Sequence, residues 1–267
     1  MAIHFQFESK DARIGYKHEI MPVPPNDYFS MHAHNRFEII YFLRGDATHV
    51  IEDRKYKLKP GDLLLIQPLK YHFIQIDSPA TCERYILGID DCLLGTSLTS
   101  LFADRPEVLD LSKEAETDRL FRKIDYYLQN LTDEDMEKVF PALLTELIYD
   151  LVITSRKTKP IQNATVLNPV LSEAIAYIND HLLTMKTISE IADHLFVSER
   201  YLFQLFKKEL HQTPKRYITD KRLLLAQTMI RGGERPSDAC TKCGFSDYSV
   251  FYRSYKSFFK KSPSEDV

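Results

Sequence analysis

The sequence predicts an α+β chain of more than one domain. An N-terminal β-barrel with two following helices precedes an all-α part, in which two helix-turn-helix units are joined by a long helix. Three observations carry this. Short β-rich runs punctuated by turn residues fill roughly the first 90 positions, and helical periodicity replaces them after about residue 112. The last third then contains a segment that repeats itself at an offset of 48 to 49 residues.

Phe37–Leu43, His49–Glu52, Lys55–Leu58, Leu63–Ile66 and Tyr85–Ile89 are rich in β-branched and aromatic residues. Arg44-Gly45-Asp46, Asp53-Arg54 and Pro60-Gly61-Asp62 are turn signals between them. No helical pattern interrupts the series, which indicates an all-β barrel or sandwich over residues 1–112. From 113 to 154, Leu120, Ile124, Tyr127, Leu128 and Leu131 recur at helical spacing. Thr132 then caps a second stripe of Val139, Leu143, Leu147, Ile148 and Leu151. Such stripes need a cover, either the barrel or a second copy of the chain, so this segment is expected to dimerise. Residues 155–166 are polar and aperiodic and read as a linker, and Asn168-Pro169 opens the helical part, 167–267.

With 267 residues, 44% of them hydrophobic and 27% charged, the chain can bury two cores and is neither disordered nor fibrous. No apolar run approaches the roughly 18 residues that span a bilayer, and Met1–Lys10 lacks a secretory apolar region. A cytoplasmic protein without a membrane partner is expected, with Cys82, Cys92, Cys240 and Cys243 as thiols. The net charge of −3 is uneven. Residues 161–267 hold 15 Lys/Arg against 12 Asp/Glu, and the rest is acidic, which is compatible with nucleic-acid binding by the C-terminal part.

The repeat pairs Thr187–Lys208 with Arg235–Lys256, and the units span about 187–209 and 235–258. Ala192 falls on Cys240, Phe196 on Gly244, Val197 on Phe245 and Ser198 on Ser246. After one inserted residue, Leu202 falls on Phe251, Gln204 on Arg253, Phe206 on Tyr255 and Lys207 on Lys256. Thr187 and Glu190 form a capping box, Gly244 suits a left-handed turn, and Ser198 and Ser246 are expected to cap the second helices. Phe196 is uncomfortable where the partner unit has glycine, so the first turn is expected to differ. The second helices are two-faced: Leu202, Leu205, Phe206, Phe251 and Tyr255 point inward. Arg200, Phe203, Gln204 and Lys207 form one outer stripe, and Ser249, Tyr252, Arg253 and Lys256 the other. Guanidinium, amide and aromatic groups on an exposed helix suit base edges in a major groove, whereas Lys207, Lys208, Lys256 and Lys260 suit phosphates.

Residues 168–264 resemble the C-terminal DNA-binding domain of the AraC/XylS-type transcription regulators. The residues that carry the resemblance are ISEIADHLFVSERYLFQLFKKEL, the helix with Arg222 and Ala226, and CGFSDYSVFYRSYKSFFKKSPSE. It implies two helix-turn-helix units entering successive segments of the major groove of double-stranded DNA, about 34 Å apart. The base-contact positions would be Arg200, Phe203 and Gln204 in the first unit, and Tyr248, Ser249, Tyr252 and Arg253 in the second. Phe203 and Tyr252 depart from the small polar residues common there, and Lys261 stands where glycine is usual. Little chain follows Ser264, so a final helix is expected to be short or absent.

In the barrel, MHAHNRFEIIYFLRG and PGDLLLIQPLKYH resemble the two cupin motifs, whose three histidines and one glutamate can hold a divalent metal. A metal-dependent cupin enzyme is therefore one rival function, and a vestigial, ligand-free barrel is another. The reading adopted is an effector pocket lined by His32, His34, Glu38, Tyr41 and His72, with no metal, cofactor or catalysis. Cys240-x-x-Cys243 has no second pair at zinc-site spacing and aligns with Ala192 and Leu195, so it reads as packing. The expected function is a homodimeric, sequence-specific transcription regulator controlled by a small effector such as a sugar or another polar metabolite. RNA polymerase is a further partner in the case of an activator.

Overall fold

The structure, a computed structural model, describes residues 2–22, 31–90, 93, 107–158 and 164–266. Cys92 and linker residues 159–163 lie outside the described residues. The N-terminal strands are β1 (Ala2–Glu8), β2 (Ile14–Met21), β3 (Arg36–Arg44), β4 (Ala47–Ile51), β5 (Arg54–Lys57), β6 (Asp62–Ile66), β7 (His72–Ile76), β8 (Cys82–Asp90) and β9 (Val108–Asp110). Among the described residues they form a six-stranded sheet ordered β1-β2-β8-β3-β6-β9 and a four-stranded sheet ordered β10-β5-β4-β7, in which β10 is Thr165–Val166. The strands β1, β2 and β7 were not singled out by composition. Their apolar residues are interleaved with His4, Gln6, Lys17, His18, Glu19 and Gln75.

β3 shows how the layers are built. Successive side chains of a strand point to opposite faces, and Ile40 and Phe42 meet Ala47, Ile51 and Ile74 of the second sheet. Phe37, Ile39 and Tyr41 face the other way, against Phe121, Ile124, Phe140 and Leu147. Those partners come from α1 (Ala115–Asn130) and α2 (Asp133–Lys157), the two expected helices, and Thr132 Oγ1 caps α2 by accepting from Asp135 N at 3.2 Å. The six-stranded sheet is thus covered on both faces, which is why FEIIYFL reads as an almost unbroken apolar run.

The expected linker at 155–166 is anchored at both ends: α2 continues through Lys157, and Thr165–Val166 pairs antiparallel with Lys55 and Arg54 of β5. Asn168 then caps α3 (Pro169–His181), its Oδ1 accepting from Val170 N and Leu171 N. Next come α4 (Ser189–His194), α5 (Glu199–Leu210), α6 (Pro214–Arg231), α7 (Pro236–Lys242) and α8 (Tyr248–Phe259), followed by a short 3-10 turn at Pro263–Glu265. Two apolar cores result. One holds Leu171, Ile191, Leu202, Phe206 and Tyr217 together with Ala33 and Tyr71 of the barrel. The other holds Ala226, Ala239, Cys240, Cys243, Phe251 and Tyr255.

Candidate functional site

α4 with α5, and α7 with α8, are the two repeated units. Their turns share one conformation: Phe196 has φ +54° and Gly244 φ +77°. In both, the next residue closes back on the first helix, Val197 N to Ala192 O at 2.9 Å and Phe245 N to Cys240 O at 3.1 Å. The expectation of a different first turn is therefore corrected. The turn closure holds Phe196 in the left-handed conformation, and its side chain, 96% exposed, is not crowded by the packed helices. Ser198 caps α5 as expected, by accepting from Tyr201 N, but Asp247 rather than Ser246 caps α8, accepting from Val250 N at 2.9 Å. The inserted residue in the second unit moves the cap by one position. At the start of α4, Glu190 accepts from Thr187 N at 2.9 Å and from Lys186 N, but the Thr187 hydroxyl bonds Ser189 and Glu190 side chains, so the box is only half made.

α5 and α8 bury Leu202, Leu205 and Phe206, and Phe251 and Tyr255. Every residue expected to meet DNA is exposed: Arg200, Phe203, Gln204, Lys207 and Lys208 on α5, and Tyr248, Ser249, Tyr252, Arg253 and Lys256 on α8. Phe203, Tyr248 and Tyr252 are 48%, 46% and 38% exposed, an unusual outlay of aromatic surface for residues a core could use. The units are tied through α6. Arg222 Nε donates to Leu182 O at 2.8 Å and Nη2 to Met185 O, beside the first unit, and Nη1 reaches Gly244 O in the second unit's turn at 3.2 Å. A side chain on Gly244 would meet that guanidinium at 3.1 Å. Asp266 closes the second unit, accepting from Tyr255 Oη at 2.6 Å, Gln227 Nε2 at 2.8 Å and Arg231 Nε at 3.1 Å.

A second site lies where the barrel meets the helices. A cavity of about 600 Å³ is lined from the barrel by His32, His34, Glu38, His49 and His72, and from the helical part by Gln227, Arg231, Phe258, Phe259 and Lys261. Ligand-type atoms of His32, His34, Glu38 and His72 lie within 4.8 Å of one another. Two rings are oriented from behind: His34 Nδ1 faces Arg36 O at 3.1 Å and His72 Nδ1 faces Lys70 O at 3.0 Å. A carbonyl accepts only from N–H, so each Nδ1 carries a proton, and each Nε2 turns toward Glu38 Oε2, at 3.3 and 2.8 Å. Burial opposes it, but the hydrogen bonds and charge of the His34 and His72 rings hold the Glu38 carboxyl well below the usual range. Three imidazoles and a carboxylate, two of the rings held by backbone carbonyls, fit a first-row divalent metal.

The comparisons follow the same division. Residues 23–152 match the family model of the AraC-like ligand binding domain, and residues 191–266 match that of a helix-turn-helix domain. The chain belongs to the AraC/XylS-type transcription regulators. It is a sequence-specific DNA-binding regulator. Among its relatives are the HTH-type transcriptional activators RhaS of Citrobacter koseri and Klebsiella pneumoniae. They are 22% and 23% identical over 250 and 252 residues, each alignment covering 92% of this chain and 90% of the relative. A solved structure, ToxT from Vibrio cholerae O395, is similar at 13% identity and a TM-score of 0.38, over 95% of this chain and 96% of its own. No helix among the described residues of this AraC-type chain is long and apolar enough to cross a membrane.

Of the five expected pocket residues, four come together and Tyr41 does not. Tyr41 sits on the helix side of β3, its ring 5.4 Å from Phe121 and nearly parallel to it. A one-residue step along a strand reverses direction, so Tyr41 cannot share a face with Glu38, three positions earlier. Sequence reading missed His49. It is 1% exposed, lines the cavity, and has no hydrogen-bond partner for either ring nitrogen among the described residues. A signal existed, since THVI places it in a strand among apolar neighbours, but a lone histidine there reads as core. Also missed was the helical wall of the cavity, which is separated from the barrel residues by more than 150 positions and has no local signature. Cys240 and Cys243 are buried thiols, and burial pushes Cys243 up to about 11, as packing residues require.

Proposed function

We propose that this AraC-type regulator binds a small polar effector in the interdomain cavity and converts its presence into promoter occupancy. The single observation that carries the reading is the cavity's double wall. A ligand against the barrel histidines would also touch Gln227 and Arg231 of α6, the helix joining the two DNA-reading units, and Phe258 and Phe259 at the end of α8. Such a ligand has a differential affinity for docked and undocked arrangements, which is the physical requirement for shifting a population. Arg200, Phe203, Gln204, Tyr248, Ser249, Tyr252 and Arg253 read bases, and Lys207, Lys208 and Lys256 hold phosphates. The protein works in the cytoplasm as a homodimer, with RNA polymerase as its further partner when it activates, and performs no catalysis. Tyr126, Tyr149 and Ile153, exposed on α1 and α2, support dimerisation through the 113–154 segment.

Genomic footprinting of the full-length protein identifies the operator and, from neighbouring genes, the class of effector to screen. Calorimetry of the full chain with a panel of sugars and polar metabolites is expected to find a ligand that changes operator affinity. A ligand whose binding survives substitutions on both cavity walls would overturn this site.

A further inference from the structure

The caps place the two reading helices in structural register. Ser198 accepts from Tyr201 N ahead of α5, and Asp247 accepts from Val250 N at 2.9 Å ahead of α8. Counted from those caps, Arg200 stands where α8 has Ser249, and Phe203 where it has Tyr252. Gln204 likewise matches Arg253, and Lys207 matches Lys256. The hydrogen-bonding places differ between the units, guanidinium against hydroxyl and amide against guanidinium. Two places keep their chemistry: the ammonium and the aromatic ring.

The rings are turned outward by the helices themselves. Leu202 and Phe251, one residue earlier, are fully buried, so Phe203 and Tyr252 point away from the core and remain exposed. Tyr248 is exposed too, but its ring leans on Phe251 at 5.7 Å, whereas neither Phe203 nor Tyr252 has a ring partner among the described residues. Each ring leaves apolar area in water that a docked surface would cover. Arg222 ties the units that carry them, donating to Leu182 O at 2.8 Å beside the first and to Gly244 O at 3.2 Å in the second.

In the major groove every base pair presents hydrogen-bonding atoms, and thymine alone adds an apolar group, the C5 methyl. A ring laid against guanine, adenine or cytosine strips water from donors and acceptors and returns no hydrogen bond, which weakens binding. Laid against thymine, it covers a methyl group. The neighbouring residues supply the opposite chemistry, since Gln204 matches adenine and Arg253 matches guanine by paired hydrogen bonds. Lys207 and Lys256, about one turn further along, suit phosphates and carry no sequence information.

We infer that Phe203 and Tyr252 each read a thymine methyl at the same place in two half-sites, so that the operator carries two thymines about ten base pairs apart, one helical turn. This rests on the reading of α5 and α8 as the base-reading helices and names the DNA chemistry they select. The shared rings supply the common part of recognition. Gln204 against Arg253 makes the half-sites unequal, which fixes the direction in which one chain lies along the operator.

The test uses the full-length protein and the operator recovered by genomic footprinting. Duplexes are made in which each thymine in turn is replaced by deoxyuridine, which removes only the methyl group. Two thymines at that spacing are expected to weaken binding about fourfold each on replacement, what burial of one methyl group is worth. Phe203→Ala is expected to abolish the effect at one of them and Tyr252→Ala at the other, while Phe203→Leu, which keeps an apolar contact, retains it. Cytosine at either place is expected to cost more than uracil, and 5-methylcytosine to bind about fourfold better than cytosine. Deoxyuridine that is neutral at every thymine, or a methyl effect that survives in both alanine variants, overturns the thymine contacts. Equal losses on unrelated DNA in those variants also overturn them, by placing the rings against the sugar-phosphate backbone. The deoxyuridine series needs no variant, so it decides even where a variant fails to fold. Operator preference unchanged in Gln204→Ala and Arg253→Ala would sink the base-reading role of both helices. Neutral deoxyuridine with specific losses in those two variants leaves that role standing while the thymine contacts fall.

Discussion

Lys221 Nζ, on the helix that joins the two reading units, lies 3.1 Å from Glu52 Oε2, on the turn between β4 and β5 of the barrel, and both side chains are buried. Glu52 also accepts from Tyr71 N at 2.7 Å and from Tyr217 Oη, and Lys221 donates to Asn179 Oδ1 at 2.7 Å. Burial pulls the Lys221 ammonium below its ordinary value, and the facing carboxylate holds it up against that. Nearly every polar atom is satisfied, and the contact is one of several that join the two domains, with Tyr71 Oη donating to Asp220 Oδ2 at 2.9 Å beside it. Removing one partner strands the other charge in a dry interface, at a cost of about 3–5 kcal/mol. Lys221→Met and Glu52→Ala are each expected to lower stability by that order in urea unfolding, and to expose the interface to protease. A loss under 1 kcal/mol in both would show that the pair does not hold the domains together.

Base reading is tested by Arg253→Ala and Gln204→Ala. Each is expected to cost about 1–3 kcal/mol at the cognate operator and to leave nonspecific binding nearly intact. Equal losses on unrelated DNA in a competition gel shift would reassign these residues to the phosphates.

Lysines on the same helices are expected to behave in the opposite way. Lys207→Ala and Lys256→Ala should weaken binding to all sequences alike and reduce the salt dependence of log K by about 1 each. An unchanged slope in fluorescence anisotropy across a salt series would remove Lys207 or Lys256 from the backbone contacts.

Phe196 holds φ +54° with its side chain almost wholly in water. Left-handed backbone costs a non-glycine residue roughly 1–2 kcal/mol, and here no buried apolar contact offsets it. Phe196→Gly is expected to stabilise the protein by about 0.5–1 kcal/mol after the greater flexibility of unfolded glycine is counted. A destabilised variant in thermal unfolding would mean that the exposed ring does something in the free protein that the fold does not reveal.

Asp62 carries a pH dependence. Burial at the start of β6 raises its carboxyl to about 6, against the lowering effect of the Lys59 N hydrogen bond, and the Asp110 carboxylate nearby adds to the rise. The folded protein therefore keeps a proton that the unfolded chain releases. The stability from this group is full below about pH 4 and is lost as pH rises through about 6. Asp62→Asn, whose amide oxygen can still accept from Lys59 N, is expected to remove that slope and to gain roughly 1–2 kcal/mol over the parent at neutral pH relative to acid. Parallel urea curves at every pH for parent and variant would contradict it.

Much was legible in the chain because the signals were local. Ser198 lies three residues before Tyr201 N, Asn168 precedes Pro169, and the periodic Leu202, Leu205 and Phe206 need only helical geometry to share a face. The outward stripes followed from the same periodicity, and all eight of their residues are exposed. What failed were steps of one residue. Asp247 rather than Ser246 caps α8 because one insertion moves the helix start, and Tyr41 faces the helices because strand direction alternates at every residue. Propensity alone does not resolve either step.

By itself, then, the sequence determined a β-rich domain, two following helices, a duplicated helix-turn-helix and the residues its second helices leave exposed. Each of these depends on interactions within a few turns of chain, or on a repeat the eye can align. Only the tertiary structure decided that β10 returns to the barrel, that Glu52 meets Lys221, that His49 joins His32, His34, Glu38 and His72, and that Gln227 and Phe258 close the cavity over them. Most of those relationships join residues scores of positions apart. They are selected by which surfaces pack when two cores dock, and no local pattern in the chain encodes that choice.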